Sequence, residues 1–196
     1  TGEIEKAQGS IVPLMTEFEN EVKFNQKFFQ RIKYVYDHEY NTLKGEDKKL
    51  LEVVYKDFTH AGALLPKEKM ARMQEINKEL AKLQQDFGDM LPKAANEATV
   101  WVNDVKELSG LSEADIAQCK KDAESRGGKA PYCIVITNTT QQPILASLDN
   151  RSLRERVYNA SIHRTDGTGA YNTFPIIVKI ARLRAEKAQL MGYKNY

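Results

Sequence analysis

The chain has little of what marks the commoner function classes. Its 196 residues include two cysteines, one tryptophan and three histidines. No apolar run approaches the roughly 18 residues that a membrane-crossing helix needs. Basic blocks are missing too: 29 Lys and Arg stand against 27 Asp and Glu, interspersed, for a net charge of +2. Phosphate backbones are held by clustered Lys and Arg, so nucleic acid is excluded as the main partner. The first twenty residues lack the charged-then-apolar order of a signal peptide, and no compartment is assigned. Fixed-period repeats and low-complexity tracts are absent. Cys119, in an expected helix, and Cys133, in an expected strand, neither force nor forbid a disulfide and read as ordinary buried thiols.

What is there is a hydrophobic content of 41% with 29% charged residues, enough for one domain with a core or for two small subdomains, divided here as 1–97 and 98–196. Ile4, Ala7, Ile11, Leu14, Phe18 and Val22 recur at three- and four-residue steps, which predicts an amphipathic helix with Pro13 off its apolar face. Asn25 caps a second helix carrying Phe28, Ile32, Val35 and Tyr36, and Leu50, Val54, Phe58 and Ala61 mark a third. The longest helix opens at Pro66 and runs to about Ala95, with Met70, Met73, Ile76, Leu80, Leu83, Phe87 and Leu91 as its stripe.

Thr99 to Val102 and Tyr132 to Thr137 are the two strand candidates, their relative direction open. Between them Ser112 caps a helix that Gly127-Gly128 ends. Helical pattern resumes at Gln142, then at Leu153, Val157 and Ala160. A glycine-bearing loop leads to a last helix capped by Asn172 or Thr173 and stopped by Gly192. The expectation is a mainly α fold of about eight helices with a minor two-stranded β element.

Candidate chemistry is thin. His38-Glu39-Tyr40-Asn41-Thr42 begins like the H-E-x-x-H signature, which sets two imidazoles on one helical face toward zinc, but Thr42 stands at the second His position and a threonine hydroxyl is a poor ligand. His60 falls in the last turn of the third helix, where it suits the helix dipole. His163, beside Arg164 before the Gly167 and Gly169 loop, has a slightly better case for function because loops carry sites more often than helix faces do, with a structural role still the preferred reading. Gly127-Gly128 and Gly167-x-Gly169 lack the strand-before, helix-after setting of a phosphate loop and read as turns. Arg151, Arg154 and Arg156, with Arg182 and Arg184, could take an anion. Asp149, Glu155 and Glu186 close by make internal ion pairing the more economical expectation. No catalytic residue and no metal ligand is assigned, and no substrate-binding residue is identified.

Asn138-Thr139-Thr140-Gln141-Gln142-Pro143, Asn150-Arg151 with Leu153-Arg154-Glu155, Ala160 to Arg164, Ile180 to Ala188 and Leu190 to Tyr193 resemble the thimet-oligopeptidase-type (M3) zinc metallopeptidases. Phe58 to Leu65 and Glu75 to Gly88 resemble them in the same order, and Asn138 to Pro143 looks most like the bacterial peptidyl-dipeptidase branch. The resemblance implies a neurolysin-like two-lobed helical shell around a channel. One zinc would be held by an H-E-x-x-H helix and a downstream Glu, with the motif's Glu as general base. That machinery has no counterpart in this sequence.

On this resemblance, residues 1–196 are expected to be the non-catalytic, N-terminal-side wall of a zinc-dependent peptidyl-dipeptidase, a hydrolase that removes dipeptides from the C-termini of short peptides. Thr1 and Tyr196, lying in or beside helix patterns, read as interior cut points. The expected partners are a C-terminal catalytic half of the same polypeptide and peptide substrates, with zinc in the parent enzyme and none in these residues. Apolar surface bared by such a cut would let the chain self-associate. The alternative is a free-standing helical interaction module without enzymatic activity.

Overall fold

The computed structural model describes residues 2–196, which form eight α-helices, one short 3-10 turn and one pair of strands. The helices are α1 (Gly2–Lys23), α2 (Gln26–Glu39), α3 (Gly45–Ala61), α4 (Lys67–Glu97), α5 (Glu113–Ser125), α6 (Asn138–Ser147), α7 (Arg151–Ile162) and α8 (Phe174–Leu190). The strands are β1 (Val100–Val102) and β2 (Tyr132–Ile134). The chain divides into two compact units, one reaching to Asp86 and completed by Val178–Tyr196, the other comprising Phe87–Ile177. α4 and α8 each contribute residues to both.

In the first unit, Asn25 caps α2 by accepting the Phe28 N–H at 3.0 Å, as its side chain suits it to do. Phe29, not Phe28, enters the core, stacking on Phe58 with ring centroids 6.1 Å apart and on Tyr55 at 5.9 Å. Ala63 completes this cluster, with Val22, Ile32 and Val54 around it. α3 stops at Gly62, whose φ of +108° lets Ala63 N–H reach the Phe58 carbonyl. A Cβ there would meet Leu65 Cδ1 at 2.9 Å, so only glycine fits this left-handed stop. Gly192 ends α8 the same way, at φ +82°.

The apolar stripe expected to bury α1 does the opposite. Ile4, Ile11, Leu14 and Phe18 are all more than half exposed, and α1 turns its other side to α4. There Asn20 is buried and accepts from Asn77 Nδ2 at 2.9 Å, while Asn77 accepts from Lys187 Nζ at 2.9 Å. Pairing satisfies most of this buried polar chain and fixes the register of α1 on α4. Leu91, placed on the α4 stripe by its spacing, is exposed as well. A second cluster of Ile76, Leu80 and Leu183 joins α4 to α8, flanked by Leu83, Ile180 and Leu190.

The second unit is built around β1 and β2, which pair antiparallel with Val100 opposite Ile134, Trp101 opposite Cys133 and Val102 opposite Tyr132. Val100, Val102, Ile134 and Ile136 meet Leu108, Cys119, Leu148, Leu153 and Val157 in one core. α6 begins at Asn138, earlier than the pattern from Gln142 suggests. Thr137 caps it in a reciprocal box, its hydroxyl accepting from Thr140 N–H and Thr140 Oγ1 accepting from Thr137 N–H. Thr140 thus does the work usually given to Glu or Gln at that position, and Pro143 is carried inside the helix.

Leu153→Ala is expected to cost about 3 kcal/mol, because a fully buried leucine loses both transfer free energy and packing. Leu14→Ala, on the bare side of α1, should change stability by no more than about 0.5 kcal/mol. Urea unfolding followed by circular dichroism checks both; similar losses at the two positions would contradict the assignment of faces.

Candidate functional site

The segment between α7 and α8 concentrates more side-chain hydrogen bonds than any turn of its length requires. Asn150 starts α7 by accepting Leu153 N–H at 3.0 Å, and His163 ends it. From there Arg164 donates to the Ile136 carbonyl at 3.2 Å, tying the segment to the chain just after β2. His163 Nδ1 lies 2.5 Å from Asp166 Oδ2. Asp166 Oδ1 accepts from Thr168 N–H at 2.9 Å and Thr168 Oγ1 at 2.8 Å. The His163 contact and then the two Thr168 bonds hold the Asp166 carboxyl well below its ordinary range, at about 2, since each favours the charged form.

Two close approaches complete the brace. Gly167, at φ +93°, packs so tightly on Asn172 that a Cβ would stand 2.8 Å from its Nδ2. Glu97, from the end of α4, accepts the Ala170 N–H with both carboxylate oxygens at 3.2 Å. Asp166 and Asn172 form a β-bridge, and Thr173 N–H reaches the Thr165 carbonyl at 2.9 Å. Asn172 Oδ1 accepts from Phe174 N–H at 3.0 Å, opening α8. Chemically this is an oriented histidine: the carboxylate fixes Nδ1 and leaves Nε2 to act as acid or base. The hydroxyl beside it, Thr168 Oγ1, turns to Asp166 and to the His163 carbonyl, so it is not set as a nucleophile for the imidazole.

The other residues singled out from sequence are scattered. His38 stacks on Tyr34 and its Nδ1 lies 2.8 Å from the Tyr34 carbonyl, while Thr42 Oγ1 donates to Glu39 O at 2.8 Å. His60 stands at the end of α3 beside Tyr193, whose hydroxyl lies 3.5 Å from Nε2. Cys119 and Cys133 are free, buried thiols that line one cavity of about 160 Å³ with Asp115, Asp122, Thr139 and Thr140. Burial pushes the Cys119 thiol up to about 11 and raises Cys133 as well, the reverse of what a reactive thiolate needs. Gly127 and Gly128 are the left-handed turn after α5. Among the described residues no group of three or more His, Cys, Asp or Glu could hold a metal ion.

Three of these arginines find partners other than the acidic residues nearest in sequence, while Arg151 and Arg182 are exposed. Arg156 donates to Glu107 Oε2 at 2.9 Å and to the Trp101 carbonyl at 2.5 Å. Arg154 caps the Leu148 and Asp149 carbonyls, and Asp149 takes the Ser109 hydroxyl instead. Glu186, expected to serve Arg182 or Arg184, is held in a fork by Arg72 of α4 at 2.6 and 2.9 Å. Arg184 lies over the Tyr196 ring, 5.1 Å from its centroid. Glu97 and Arg72 were invisible in sequence because their partners lie 73 and 114 residues away. Asp166 was not singled out from sequence, and its place three residues after His163 is the signal that could have found it. A groove of about 490 Å³ runs between α1 and α4 with Val12, Pro13, Ala81 and Lys82 in its walls, within the first unit.

No family model matches the chain. Dipeptidyl carboxypeptidase of Escherichia coli (strain K12) is 32% identical to it over 183 residues, 93% of this chain and 27% of that protein. Oligopeptidase A of Salmonella typhimurium is 29% identical over 199 residues, 99% of this chain and 29% of the relative. Organellar oligopeptidase A of Arabidopsis thaliana is 28% identical over 203 residues, covering 100% of this chain and 26% of its own length. The chain therefore spans little more than a quarter of the curated relatives it matches.

Two outcomes test the site's electrostatics. Asp166 has its folded pKa below the unfolded value, so the brace stabilises fully above about pH 4 and is lost as pH falls toward 2. Asp166→Asn should lower the urea midpoint at pH 7, and its gap from the parent chain should close between pH 4 and pH 2; a gap that persists at pH 2 would contradict the assignment. Both thiols should resist Ellman's reagent at pH 8 in the native chain and react on unfolding, and rapid native labelling would show the cavity to be open.

Proposed function

From the homology of this chain to the M3, thimet-oligopeptidase-type peptidases along nine-tenths of its length, we propose that these residues are a non-catalytic helical region of a longer zinc peptidase. Its activity would be the release of dipeptides from free C-termini of short peptides. The observation that carries this is the match to dipeptidyl carboxypeptidase over 183 residues, with oligopeptidase A matching over 199.

The zinc that such an enzyme uses does not fit the residues present. His38 is committed to Tyr34, Thr42 replaces the second imidazole and donates to a carbonyl, and His163 is engaged by Asp166. We therefore assign the metal, and the water it activates, to residues outside 1–196 and derive no chemical step through it here.

The contribution of this region is then the positioning of substrate. Helices packed to exclude water form a wall that admits an extended chain and refuses a folded one, and holding a peptide in one alignment removes much of the entropic barrier to its cleavage. The braced segment 163–173 suits that role because its backbone is over-determined: Glu97, Asp166 and Asn172 each fix a different stretch of it.

The intact gene product is expected to bind zinc and to release dipeptides from an N-terminally blocked peptide, with both properties lost on chelation. Purified residues 1–196 should do neither. Stoichiometric zinc in the purified 1–196 chain, removed by a chelator together with peptidase activity, would overturn the reading, and so would an intact product lacking both.

A further inference from the structure

α1 presents a face that its own unit leaves bare. Ile4, Ile11, Leu14, Met15 and Phe18 are each between 53% and 65% exposed. At 100° per residue they fall within an arc of roughly 100° on the side opposite Val12, Thr16 and Asn20. Ile4, Ile11 and Phe18 are spaced by seven, and Ala7 and Leu14 stand three residues after Ile4 and Ile11. That is the a/d repeat of a seam which takes a second helix at a shallow crossing of about 20°. A strand or loop would leave such a continuous groove-and-ridge surface unfilled.

The charges beside the stripe select the partner. Glu3, Glu19 and Glu21 border it and are exposed, whereas Lys6 and Lys23 fall on the far side by the same 100° step, Lys23 held by Asp57 at 2.5 Å. A second copy of the chain would set one acidic border against another, and an anionic bilayer would be repelled in the same way. Complementarity calls for a helix whose apolar stripe is edged by Lys or Arg. The relatives are three to four times as long as this chain, which spans 27% of dipeptidyl carboxypeptidase, so such a polypeptide has ample length to supply one.

We infer that the outer face of α1 is the docking seam for a Lys/Arg-edged amphipathic helix of the same polypeptide, lying outside residues 1–196. This rests on the longer-peptidase reading above. The seam would fasten the region to the remainder of the enzyme through apolar packing, with Glu19 and Glu21 setting register.

The test uses the intact gene product in two ways. A zero-length carbodiimide should cross-link Glu19 or Glu21 of the unaltered protein to a lysine outside residues 1–196, read by mass spectrometry. In the variant Leu14→Cys, maleimide labelling of residue 14 should be at least about tenfold slower in the native than in the urea-unfolded protein, the protection of a covered site. Equal labelling in both states, or cross-links that join only two copies through mixed isotopes, would overturn the seam. An intact product that binds zinc and releases dipeptides yet labels freely at residue 14 removes this inference alone. A product that shields residue 14 but neither binds zinc nor cleaves peptides removes the peptidase reading and leaves the seam standing.

Discussion

The first unit depends on a seam between α4 and α8. Ile76 and Leu80 meet Leu183 there, residues more than a hundred positions apart, so the contact carries the loop-closure entropy of most of the chain. Apolar burial supplies the favourable term and charge fixes the alignment. Arg72 forks onto Glu186 and also reaches Glu75 at 3.0 Å, while Glu79 takes Lys179 at 3.1 Å. A guanidinium fork matches a carboxylate in only one orientation. Sliding α8 by one turn would break that fork and withdraw Lys187 from the Asn77–Asn20 chain, so the same step penalises both. Surface ion pairs add little to stability by themselves; here their value is that the apolar seam has one register instead of several.

The second unit solves a different problem. Two strands of three residues are too short to persist alone, and what keeps β1 and β2 paired is burial of their alternate side chains under α5, α6 and α7. Thr140 is a hinge of this arrangement: it closes the cap of α6 and also donates to the Val135 carbonyl at 2.5 Å. Strand end and helix start are thereby one feature.

Local signals told most of the fold. Asn25 and Ser112 read from sequence as caps and act as such, and Asn150 and Gly62, not read so beforehand, mark boundaries through the same chemistry acting within four residues. Periodicity found the helices and failed to say which face is buried: Phe28 yields to Phe29, and the stripe of α1 faces outward, because a helix's own spacing does not reveal what lies beside it. Partners distant in sequence were illegible for the same reason. Arg156 finds Glu107, and Glu186 finds Arg72, across loops whose geometry no single stretch encodes. Of the candidate site, His163 was visible as a loop histidine, whereas its partner Asp166 and the clamp from Glu97 emerged only once the chain was folded.

Homology to M3 peptidases and the lack, among the described residues, of any group of three or more His, Cys, Asp or Glu that could hold a metal ion fit together if this region positions substrate while another part of the polypeptide does the chemistry. Of the histidines and cysteines here, His38 stacks on Tyr34, His60 stands beside Tyr193, His163 is braced by Asp166, and the two thiols are buried with their pKa values raised. Zinc anomalous scattering from crystals of the intact gene product tests this most directly. The account predicts an ion whose every protein ligand, at the usual distance of about 2.0–2.3 Å, comes from outside residues 1–196. A coordination sphere that includes His38, His60, His163, Cys119 or Cys133 would contradict it.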